Sequence, residues 1–258
     1  MAKLKVTGTV LSQDRLAAGI FSMWIRVPEI ASQAACGQFI SVYCRDRSRL
    51  LPRPISLCEI DPAEGSLRIV YRIAGKGTEE FSSYQAGDPI EVLGPLGNGF
   101  PTPDEGKSVL LIGGGIGIPP MLQTAKSLRC AKTAVLGYRD QNLFLKEAFE
   151  AAADQVLIAT EDGSCGTKGN VLDAIREAKV RTDLIYACGP TPMLRALKAY
   201  AAEEGIECYL SLEEKMACGI GACLACVCQT KDVDAHSQVH NARICKDGPV
   251  FRAEEVEL

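Results

Sequence analysis

The sequence predicts a multi-domain protein of the β plus α/β class: an all-β domain, an α/β domain and a small C-terminal module. Three observations support this fold class. Short strand-like runs fill residues 1–101, strand-like and helical runs alternate over residues 102–212, and four of the twelve cysteines crowd into eleven positions of residues 213–258. A chain of 258 residues is long enough for two ordinary domains and one small module.

The first domain is predicted to be an antiparallel β-barrel, with a sandwich as the alternative. Its strand-like runs are rich in β-branched and aromatic residues and are separated by Gly, Pro, Asp and Ser, a pattern typical of such folds. One helix, Glu79–Tyr84, interrupts the strands. The predicted strands are Lys5–Leu11, Ile20–Val27, Gln38–Val42, Arg53–Leu57, Ser66–Tyr71 and Asp88–Leu93.

The second domain begins after the turn-rich stretch Gly94–Lys107, which marks the candidate domain boundary. Strands and helices then alternate, and this alternation predicts a parallel sheet that is covered on both faces. The predicted strands are Ser108–Ile112, Ala134–Tyr138, Val156–Thr160, Leu184–Cys188 and Glu207–Leu212, and the predicted helices are Pro119–Arg129, Leu143–Ala152, Val171–Ala178 and Thr191–Glu204.

Composition and charge exclude several classes of function. The net charge is −4 and no run of Lys or Arg stands out, which argues against a nucleic-acid or anionic-membrane surface. No apolar run approaches the ~20 residues of a membrane helix, and the charged N-terminal stretch is unlike a signal peptide, so we expect a cytoplasmic protein. With only two histidines in the chain, the chemistry is expected to belong to bound cofactors.

The C-terminal module carries the most specific motif. Cys218, Cys223 and Cys226 have the C-x4-C-x2-C spacing of plant-type [2Fe–2S] proteins, in which a fourth cysteine follows downstream. A segment of this size seldom folds on its own core, so a metal or cluster is also expected on physical grounds. The intervening Gly219 and Gly221 allow the backbone to wrap closely around a cluster. The motif predicts an iron–sulfur site.

Two cysteines compete as the fourth ligand. Cys245 lies downstream in a strand–turn context, whereas Cys228 follows Cys226 by two residues. One intervening residue gives little room to reach the other iron, so we favour Cys245. A zinc site is the alternative for the whole module, although zinc sites usually carry paired C-x2-C units and only one such unit is present.

The second domain carries two loops that are typical of a dinucleotide site. One glycine-rich loop follows a buried strand and opens a helix, where phosphates bind well. A second loop ends a later strand of the same parallel sheet, so both are expected to face one crevice. A tight turn without a ligand is the alternative for the first loop. The predicted contacts are Gly113, Gly114, Gly115, Gly117, Cys188, Gly189 and Pro190.

The choice between NAD and NADP depends on the turn after the predicted strand Ala134–Tyr138. Asp140 can accept hydrogen bonds from ribose hydroxyls and repels a 2′-phosphate, which favours NAD. Arg139 argues the other way, and a merely solvated turn is the third possibility. We predict NAD, with Asp140 at the adenine ribose.

Three motifs of the first domain fit a flavin nucleotide. Arg53-Pro54-Ile55-Ser56 supplies a cation for a pyrophosphate and a hydroxyl for the flavin. A solvated strand arginine would be the alternative if this motif stood alone. Two further motifs join it: Val70-Tyr71-Arg72 adds a ring and a second guanidinium, and Gly75-Lys76-Gly77-Thr78 precedes a helix as a phosphate cradle.

In chain order, the R-P-x-S, G-x-G-T, G-G-G-x-G and C-G-P motifs resemble those of the ferredoxin–NADP reductase superfamily. The run from Glu213 to Cys228, EEKMACGIGACLACVC, is more specific and is similar to the electron-transfer subunits of dihydroorotate dehydrogenase B. The resemblance covers essentially the whole chain. It implies a β-barrel FAD domain over residues 1–101, an NAD domain over residues 102–212 and a [2Fe–2S] module over residues 213–258.

The resemblance also implies cofactors, a partner and contact residues. The cofactors would be FAD, a [2Fe–2S] cluster and NAD, and the partner a separate FMN-containing catalytic subunit in a heterotetramer of two copies of each. No nucleic-acid or membrane partner is expected. The FAD contacts would fall on Arg53, Pro54, Ile55, Ser56, Val70, Tyr71, Arg72, Gly77 and Thr78, and the cluster ligands on Cys218, Cys223, Cys226 and Cys245.

Electron counting orders these cofactors. An iron–sulfur cluster carries one electron, NAD⁺ accepts two as a hydride, and FAD exchanges either, so FAD must lie between them. With the partner that the resemblance implies, dihydroorotate would be oxidised to orotate at the partner's FMN, in pyrimidine (UMP) biosynthesis, and the electrons would leave this chain on NAD⁺. No residue is predicted with certainty as catalytic. Cys188 is expected near the nicotinamide, and a buried strand-end thiol is the alternative.

Two other functions fit parts of the pattern. A reductase subunit that uses NADH or NADPH for another acceptor, such as a sulfite reductase or hydrogenase partner, could share the same three-part plan. A zinc-stabilised binding protein would share only the cysteine motif. Visible absorbance separates the zinc protein, and the identity of the acceptor separates the reductase.

Overall fold

The computed structural model describes residues 3–233 and 238–258. Of the two histidines in the chain, His236 lies outside the described residues. The chain divides into two compact units. The first comprises the chain up to Gly99 together with Glu213–Val227 and Arg243–Pro249, and the second comprises Phe100–Leu212, Cys228–Ala242 and Val250–Leu258. Each unit therefore contains part of residues 213–258, and the division of that segment as a separate module stays a prediction.

The first unit contains the predicted antiparallel β-barrel, which is confirmed as a closed barrel of order β1-β2-β5-β4-β3-β6. Every neighbouring pair is antiparallel, and β6 closes the barrel on β1. The strands are β1 (Leu4–Ala17), β2 (Ile20–Arg26), β3 (Phe39–Val42), β4 (Arg53–Asp61), β5 (Ser66–Arg72) and β6 (Pro89–Leu96).

The first strand is longer than its sequence pattern predicts. It extends to Ala17 and pairs with β2 over most of that length, with register shifts between Val10 and Ser12 and between Arg15 and Ala17. Such bulges bend a strand and break its alternation of apolar and polar residues, which hides its second half from a pattern analysis.

The core of this unit fills the barrel. Ile40 and Val42 of β3 belong to the core together with Leu57, Leu67 and Ile69 of the next strands. Side chains alternate along a strand, so the residues that lie between these core residues in each strand point outward from the barrel. Two short helices accompany the strands, α1 (Pro28–Ala31) and α2 (Lys76–Phe81).

The helix predicted at Glu79–Tyr84 begins and ends three residues earlier than expected. Thr78 explains the early start, because its Oγ1 accepts hydrogen bonds from the Ala74 and Gly75 backbone N–H groups at 2.8 and 3.2 Å. These bonds cap the first turn with a side chain that lies inside the helix. A threonine at the third helical position is a weak start signal in a sequence.

The main sheet of the second unit has the order β10-β9-β8-β7-β11-β12-β15, in which β7 to β12 pair in parallel and β15 is an antiparallel edge. This confirms the predicted parallel sheet and adds β10 and β15. The strands are β7 (Val109–Gly114), β8 (Lys132–Tyr138), β9 (Gln155–Thr160), β10 (Thr167–Lys168), β11 (Leu184–Cys188), β12 (Glu207–Ser211), β13 (Val227–Gln229), β14 (Asn241–Arg243) and β15 (Val250–Arg252), where β13 and β14 form a separate two-stranded sheet.

The helices of this unit alternate with its strands as predicted. The helix expected at Leu143–Ala152 is shorter, because Leu145 has a φ of +66° and a left-handed residue cannot continue a helix on its N-terminal side. Over residues 3–233 and 238–258, no helix is long and apolar enough to cross a membrane. The helices are α3 (Ile118–Ser127), α4 (Lys146–Glu150), α5 (Val171–Glu177) and α6 (Thr191–Glu204).

Candidate functional site

The first unit brings Arg53 and Gly77 together although they belong to different motifs. A Cβ built on Gly77 would lie 2.7 Å from Arg53 Cζ, so only glycine lets the guanidinium pack on the start of α2. Arg53 also donates a hydrogen bond to the Leu51 carbonyl. A cation beside an open glycine backbone is an arrangement that suits a phosphate. The structure thus links two of the three predicted FAD motifs.

A second guanidinium at this turn was missed by the sequence analysis. Arg49 donates to the Lys76 carbonyl and forms an ion pair with Glu80, with 3.0 Å between Nη1 and Oε2. It lies in the loop between β3 and β4, in the run Arg45-Asp46-Arg47-Ser48-Arg49. No motif distinguishes Arg49 from its neighbours Arg45 and Arg47, so the sequence alone does not identify it as a candidate residue of the FAD site.

The third predicted FAD motif lies on β5, where alternation separates its members. Tyr71 points into the barrel: it is buried, its hydroxyl donates to Gln13 Oε1 at 2.8 Å, and its ring stacks on Phe21. Burial also raises the pKa of Tyr71. The ring is therefore part of the core, and a cofactor contact at this position would involve the main chain. The neighbouring Val70 and Arg72 lie on the outer side.

The same alternation applies to the R-P-x-S motif on β4. Ile55 belongs to the barrel core, whereas Pro54 and Ser56 face outward. In register, Pro54 pairs with Ser41 of β3 and Ser56 with Phe39. The outward half of the motif therefore lies beside the outer face of β3.

The cysteine loop is folded around Cys218. Its Sγ accepts hydrogen bonds from the Ile220 and Ala222 backbone N–H groups at 3.4 and 3.3 Å. Burial alone raises the pKa of Cys218, but these bonds and one from the Cys223 side chain outweigh it and bring the pKa to about 6. Gly219, with a φ of +69°, permits the turn. The loop therefore favours a thiolate, the form that binds iron.

The structure brings Cys245 to Cys226. The Cys245 N–H donates to Cys226 Sγ at 3.5 Å, the Ile244 N–H donates to the Cys226 carbonyl at 2.9 Å, and both cysteines are buried. Burial raises the pKa of Cys245 to about 12, and the hydrogen bond and charge of Cys226 add to the effect. These contacts support Cys245 over Cys228 as the fourth ligand.

The four predicted ligands thus form two pairs. Cys218 shares a hydrogen bond with Cys223, and Cys245 shares one with Cys226. In the described part of the chain, no three His, Cys, Asp or Glu side chains converge as ligands of a single metal ion would. Two pairs of thiols fit a cluster with two irons, in which each iron takes two cysteines.

Arg243 fastens the Cys245 turn to the cysteine loop. Its Nε lies 2.9 Å from Asp247 Oδ2, and its Nη1 donates to the Gly221 carbonyl at 3.3 Å. Burial raises the pKa of Asp247, but hydrogen bonds from the Arg243 side chain and N–H hold it below its usual value. Asn98 Nδ2 anchors the same turn through the Lys246 and Asp247 carbonyls at 3.0 Å. No motif in the sequence predicts this clamp.

In the second unit, the two predicted nucleotide loops lie side by side. Gly113 of β7 pairs in register with Cys188 of β11, so both loops leave the carboxyl ends of neighbouring parallel strands, and a nucleotide crevice between them stays a prediction. A Cβ on Gly117 would lie 2.6 Å from the Gly189 nitrogen, so the loops touch through their main chains.

Two glycines of this pair of loops serve packing instead. Gly114 and Gly189 lie against Met193 of α6, and a Cβ on Gly114 would also lie 3.2 Å from Pro190 Cδ. Gly115 differs, because a Cβ there would meet nothing within 4 Å, although its φ is +54°. The open part of the loop is therefore at Gly115.

Asp140 lies in the turn beyond β8, as predicted, but it is engaged locally. Its Oδ1 accepts hydrogen bonds from the Asn142 N–H at 2.9 Å and from Asn142 Nδ2 at 2.6 Å. The carboxylate therefore shapes its own turn, and its role at a ribose stays a prediction. Arg139 beside it is exposed.

Comparisons with known proteins agree with this arrangement. The family model "Iron-sulfur cluster binding domain of dihydroorotate dehydrogenase B" matches residues 213–257, and the model "Oxidoreductase NAD-binding domain" matches residues 111–199. Among solved structures, the chain is similar to one described as NADH-dependent reduced ferredoxin-NADP oxidoreductase, with a TM-score of 0.87 and 32% identity over 97% of this chain and 89% of that one. A ferredoxin NADP⁺ reductase from Neisseria gonorrhoeae with bound FAD and NADP shares the fold, with a TM-score of 0.65 and 17% identity over 83% of this chain and 95% of that one.

Curated relatives extend the similarity to the whole length. The chain is 43% identical to the dihydroorotate dehydrogenase B (NAD⁺) electron transfer subunit of Bacillus caldolyticus, over 97% of each chain. It is 41% identical to the corresponding subunit of Streptococcus mutans, over 99% of each. The chain therefore belongs to the family of dihydroorotate dehydrogenase B electron transfer subunits.

Proposed function

We propose that this protein transfers electrons from the FMN of a dihydroorotate dehydrogenase catalytic subunit through a [2Fe–2S] cluster and FAD to NAD⁺. Dihydroorotate would thereby be oxidised to orotate in pyrimidine biosynthesis. The observation that carries the proposal is the 43% identity over 97% of both chains, joined with the paired cysteines of the first unit. The binding site for dihydroorotate would lie on the partner.

The residues present fit the cluster. The loop supplies two backbone N–H donors to Cys218 Sγ and holds its pKa near 6, and the Arg243 clamp keeps Cys245 beside Cys226. When bound, the cluster would carry single electrons, which FAD collects in pairs for hydride transfer. The chain's own contribution is to hold the four sulfurs and to supply hydrogen bonds to them.

The proposed cluster and FAD sites lie close together on the wall of the barrel, which would make the path for electrons between them short. The cysteine loop lies over β3 and β6, because a Cβ on Gly219 would be 3.1 Å from Ser41 Oγ and 3.2 Å from Leu96 Cδ1. The R-P-x-S motif lies on β4, which is the next strand after β3. Neighbouring strands are ~4.8 Å apart, so the two proposed sites are adjacent on one wall.

The surface of the cysteine loop suits a partner subunit. Cys223 is exposed, and the same loop carries Ile220 and Leu224, whose exposed fractions are 44% and 50%. Leu224 also has a φ of +57°, a conformation that a leucine rarely adopts and that marks functional loops. Exposed apolar side chains around an electron entry point fit docking of the FMN subunit, in a cytoplasmic heterotetramer of two copies of each chain.

The second unit supplies the proposed nicotinamide site. Its two loops leave neighbouring strands at one sheet edge, with Gly115 open to a ligand and Cys188 at the adjacent strand end. Phosphates bind well where such a loop opens a helix. We assign NAD here because the relatives' name specifies NAD⁺ and because the Asp140 carboxylate, if it faces the ribose, would repel a 2′-phosphate.

The test is reconstitution with the FMN subunit of the same organism. The two chains should form one complex by gel filtration, and dihydroorotate should then produce one NADH for each orotate. A complex of the FMN subunit with the Cys226→Ala variant serves as the control and should form no NADH. A stable complex that produces orotate without NADH, although flavin and iron are fully loaded, would contradict the proposal.

A reductase subunit for another acceptor is the second candidate. It is favoured by the 32% identity to the NADH-dependent reduced ferredoxin-NADP oxidoreductase structure over 97% of this chain. Affinity purification of the protein from its own cells distinguishes the two candidates. Recovery of an FMN-containing dihydroorotate dehydrogenase supports the first, and recovery of a different redox subunit supports the second.

A further inference from the structure

One buried hydroxyl of the first unit requires an explanation. Ser41 is 1% exposed, and its Oγ has no hydrogen-bond partner within the described ranges 3–233 and 238–258. Burial of a polar group without a partner is destabilising, and such a group in a native fold requires an explanation, of which a redox role or an unseen ligand is one. The surroundings of this hydroxyl therefore indicate what it binds.

Ser41 faces away from the barrel core. Its neighbours on β3, Ile40 and Val42, belong to the core, so alternation puts Ser41 on the outer wall. The cysteine loop covers the wall there, because a Cβ on Gly219 would lie 3.1 Å from Ser41 Oγ. The hydroxyl thus lies against the residue that directly follows Cys218.

The loop already directs hydrogen-bond donors toward sulfur. The Ile220 and Ala222 N–H groups donate to Cys218 Sγ from the loop itself. On the barrel side, the Leu96 side chain is apolar, and its Cδ1 lies 3.2 Å from the same Cβ position on Gly219. The Ser41 hydroxyl can therefore add a hydrogen-bond donor from the barrel side, where the Leu96 side chain offers none.

We propose that the Ser41 hydroxyl donates a hydrogen bond to a sulfur of the [2Fe–2S] cluster and thereby favours its reduced form. The proposal rests on the proposed function, since it takes the cluster to be held by the four paired cysteines. A reduced cluster carries one more negative charge, so a donor binds it more strongly than the oxidised cluster. Ser41 pairs with Pro54 of the R-P-x-S motif, so it lies between the proposed cluster and FAD sites. Its hydrogen bond would therefore change the driving force for electron transfer from the cluster to FAD.

The test is a redox titration of the purified holoprotein followed by EPR. In Ser41→Ala, which removes the oxygen alone, the ratio of reduced to oxidised cluster at a fixed ambient potential should fall about three- to tenfold, where tenfold corresponds to about 59 mV. The FAD potential, followed by visible absorbance, should not change. Ser66→Ala is the matched control, because Ser66 is also buried in the barrel but lies on β5, two strands away.

Further variants keep the test decisive. Ser41→Thr retains the hydroxyl and should keep the wild-type potential, while Ser41→Gly provides a second hydroxyl-free protein and should repeat the Ser41→Ala result. A fully loaded Ser41→Ala protein with an unchanged cluster potential overturns the inference, as does a shift of the FAD potential alone. A wild-type protein without any cluster signal contradicts the proposed function instead, so the two failures are distinguishable.

Discussion

The cysteine loop of the first unit and the glycine loop of the second are both rich in glycine, but the glycines do different work. In the cysteine loop, Gly219 and Gly221 have positive φ values and direct backbone N–H groups toward Cys218. In the other loop, Gly114 and Gly117 make room for neighbouring protein atoms. Glycine content alone therefore does not identify a binding site, whereas the spacing of side chains that can bind a metal does.

The largest effect is expected at the cysteines. Cys226→Ala or Cys245→Ala should abolish the cluster, since each removes one sulfur of the buried pair, and Cys218→Ala or Cys223→Ala should do the same for the other pair. Cys228→Ala is the matched control and should retain it. Iron and acid-labile sulfide are measured on each purified variant. A cluster-free Cys228→Ala protein beside a loaded Cys245→Ala protein would reverse the ligand assignment.

The glycine loop should be sensitive to packing. Gly117→Ala puts a Cβ within 2.6 Å of the Gly189 nitrogen, so it should lower the free energy of unfolding by about 1–3 kcal/mol and weaken NADH binding as the two loops separate. Gly106→Ala, where a Cβ meets nothing within 4 Å, is the control and should leave both unchanged. Thermal unfolding and the KM for NADH test this. Wild-type behaviour of Gly117→Ala would show that the contact between the loops is not tight.

The barrel site should depend on charge more than on packing. Arg53→Ala removes a charge-assisted phosphate contact worth ~1.5–3 kcal/mol, roughly tenfold or more in FAD affinity. Flavin content after gel filtration measures the loss. Arg26→Ala, an exposed arginine at the end of β2, should retain full flavin. Equal flavin content in Arg53→Ala and the wild type would exclude Arg53 from the FAD site.

The smallest effect is expected at the ribose turn. The wild type should use NADH with a higher kcat/KM than NADPH when it reduces an artificial acceptor. Asp140→Ala should reduce this preference several-fold, because the repulsion of a 2′-phosphate is lost. Arg139→Ala, next to it and exposed, should increase the preference. A wild-type kcat/KM for NADPH equal to that for NADH would mean that this turn does not select the nucleotide.

The sequence was sufficient for the fold class because strand patterns, the β/α alternation and the cysteine spacing are local signals. The strand Leu184–Cys188 and the helix Thr191–Glu204 have the predicted bounds, since the strand is a continuous apolar run and the helix lies between Pro190 and Gly205, which are clear breakers. The antiparallel edge strand Val250–Arg252 was missed, because a three-residue strand acquires its structure only by pairing with β12.

The parts of the candidate sites that escaped prediction depend on contacts between distant residues. Tyr71 resembles a stacking ring in sequence, but the register of β5 turns it into the core. Arg243 acts through the Gly221 carbonyl, twenty-two residues away, and Arg49 through Lys76, at a separation of twenty-seven. A pattern of residue types does not contain these contacts, so the roles of Arg243 and Arg49 became visible only in the fold.

Electrons should reach NAD⁺ only through the paired cysteines. Anaerobic stopped-flow mixing of dihydroorotate with complexes that contain the FMN subunit and either wild-type or Cys226→Ala protein tests this route. Both complexes should reduce their FMN at the same rate, and NADH should form only with the wild type. NADH formation at the wild-type rate in a Cys226→Ala complex that lacks iron would contradict the account.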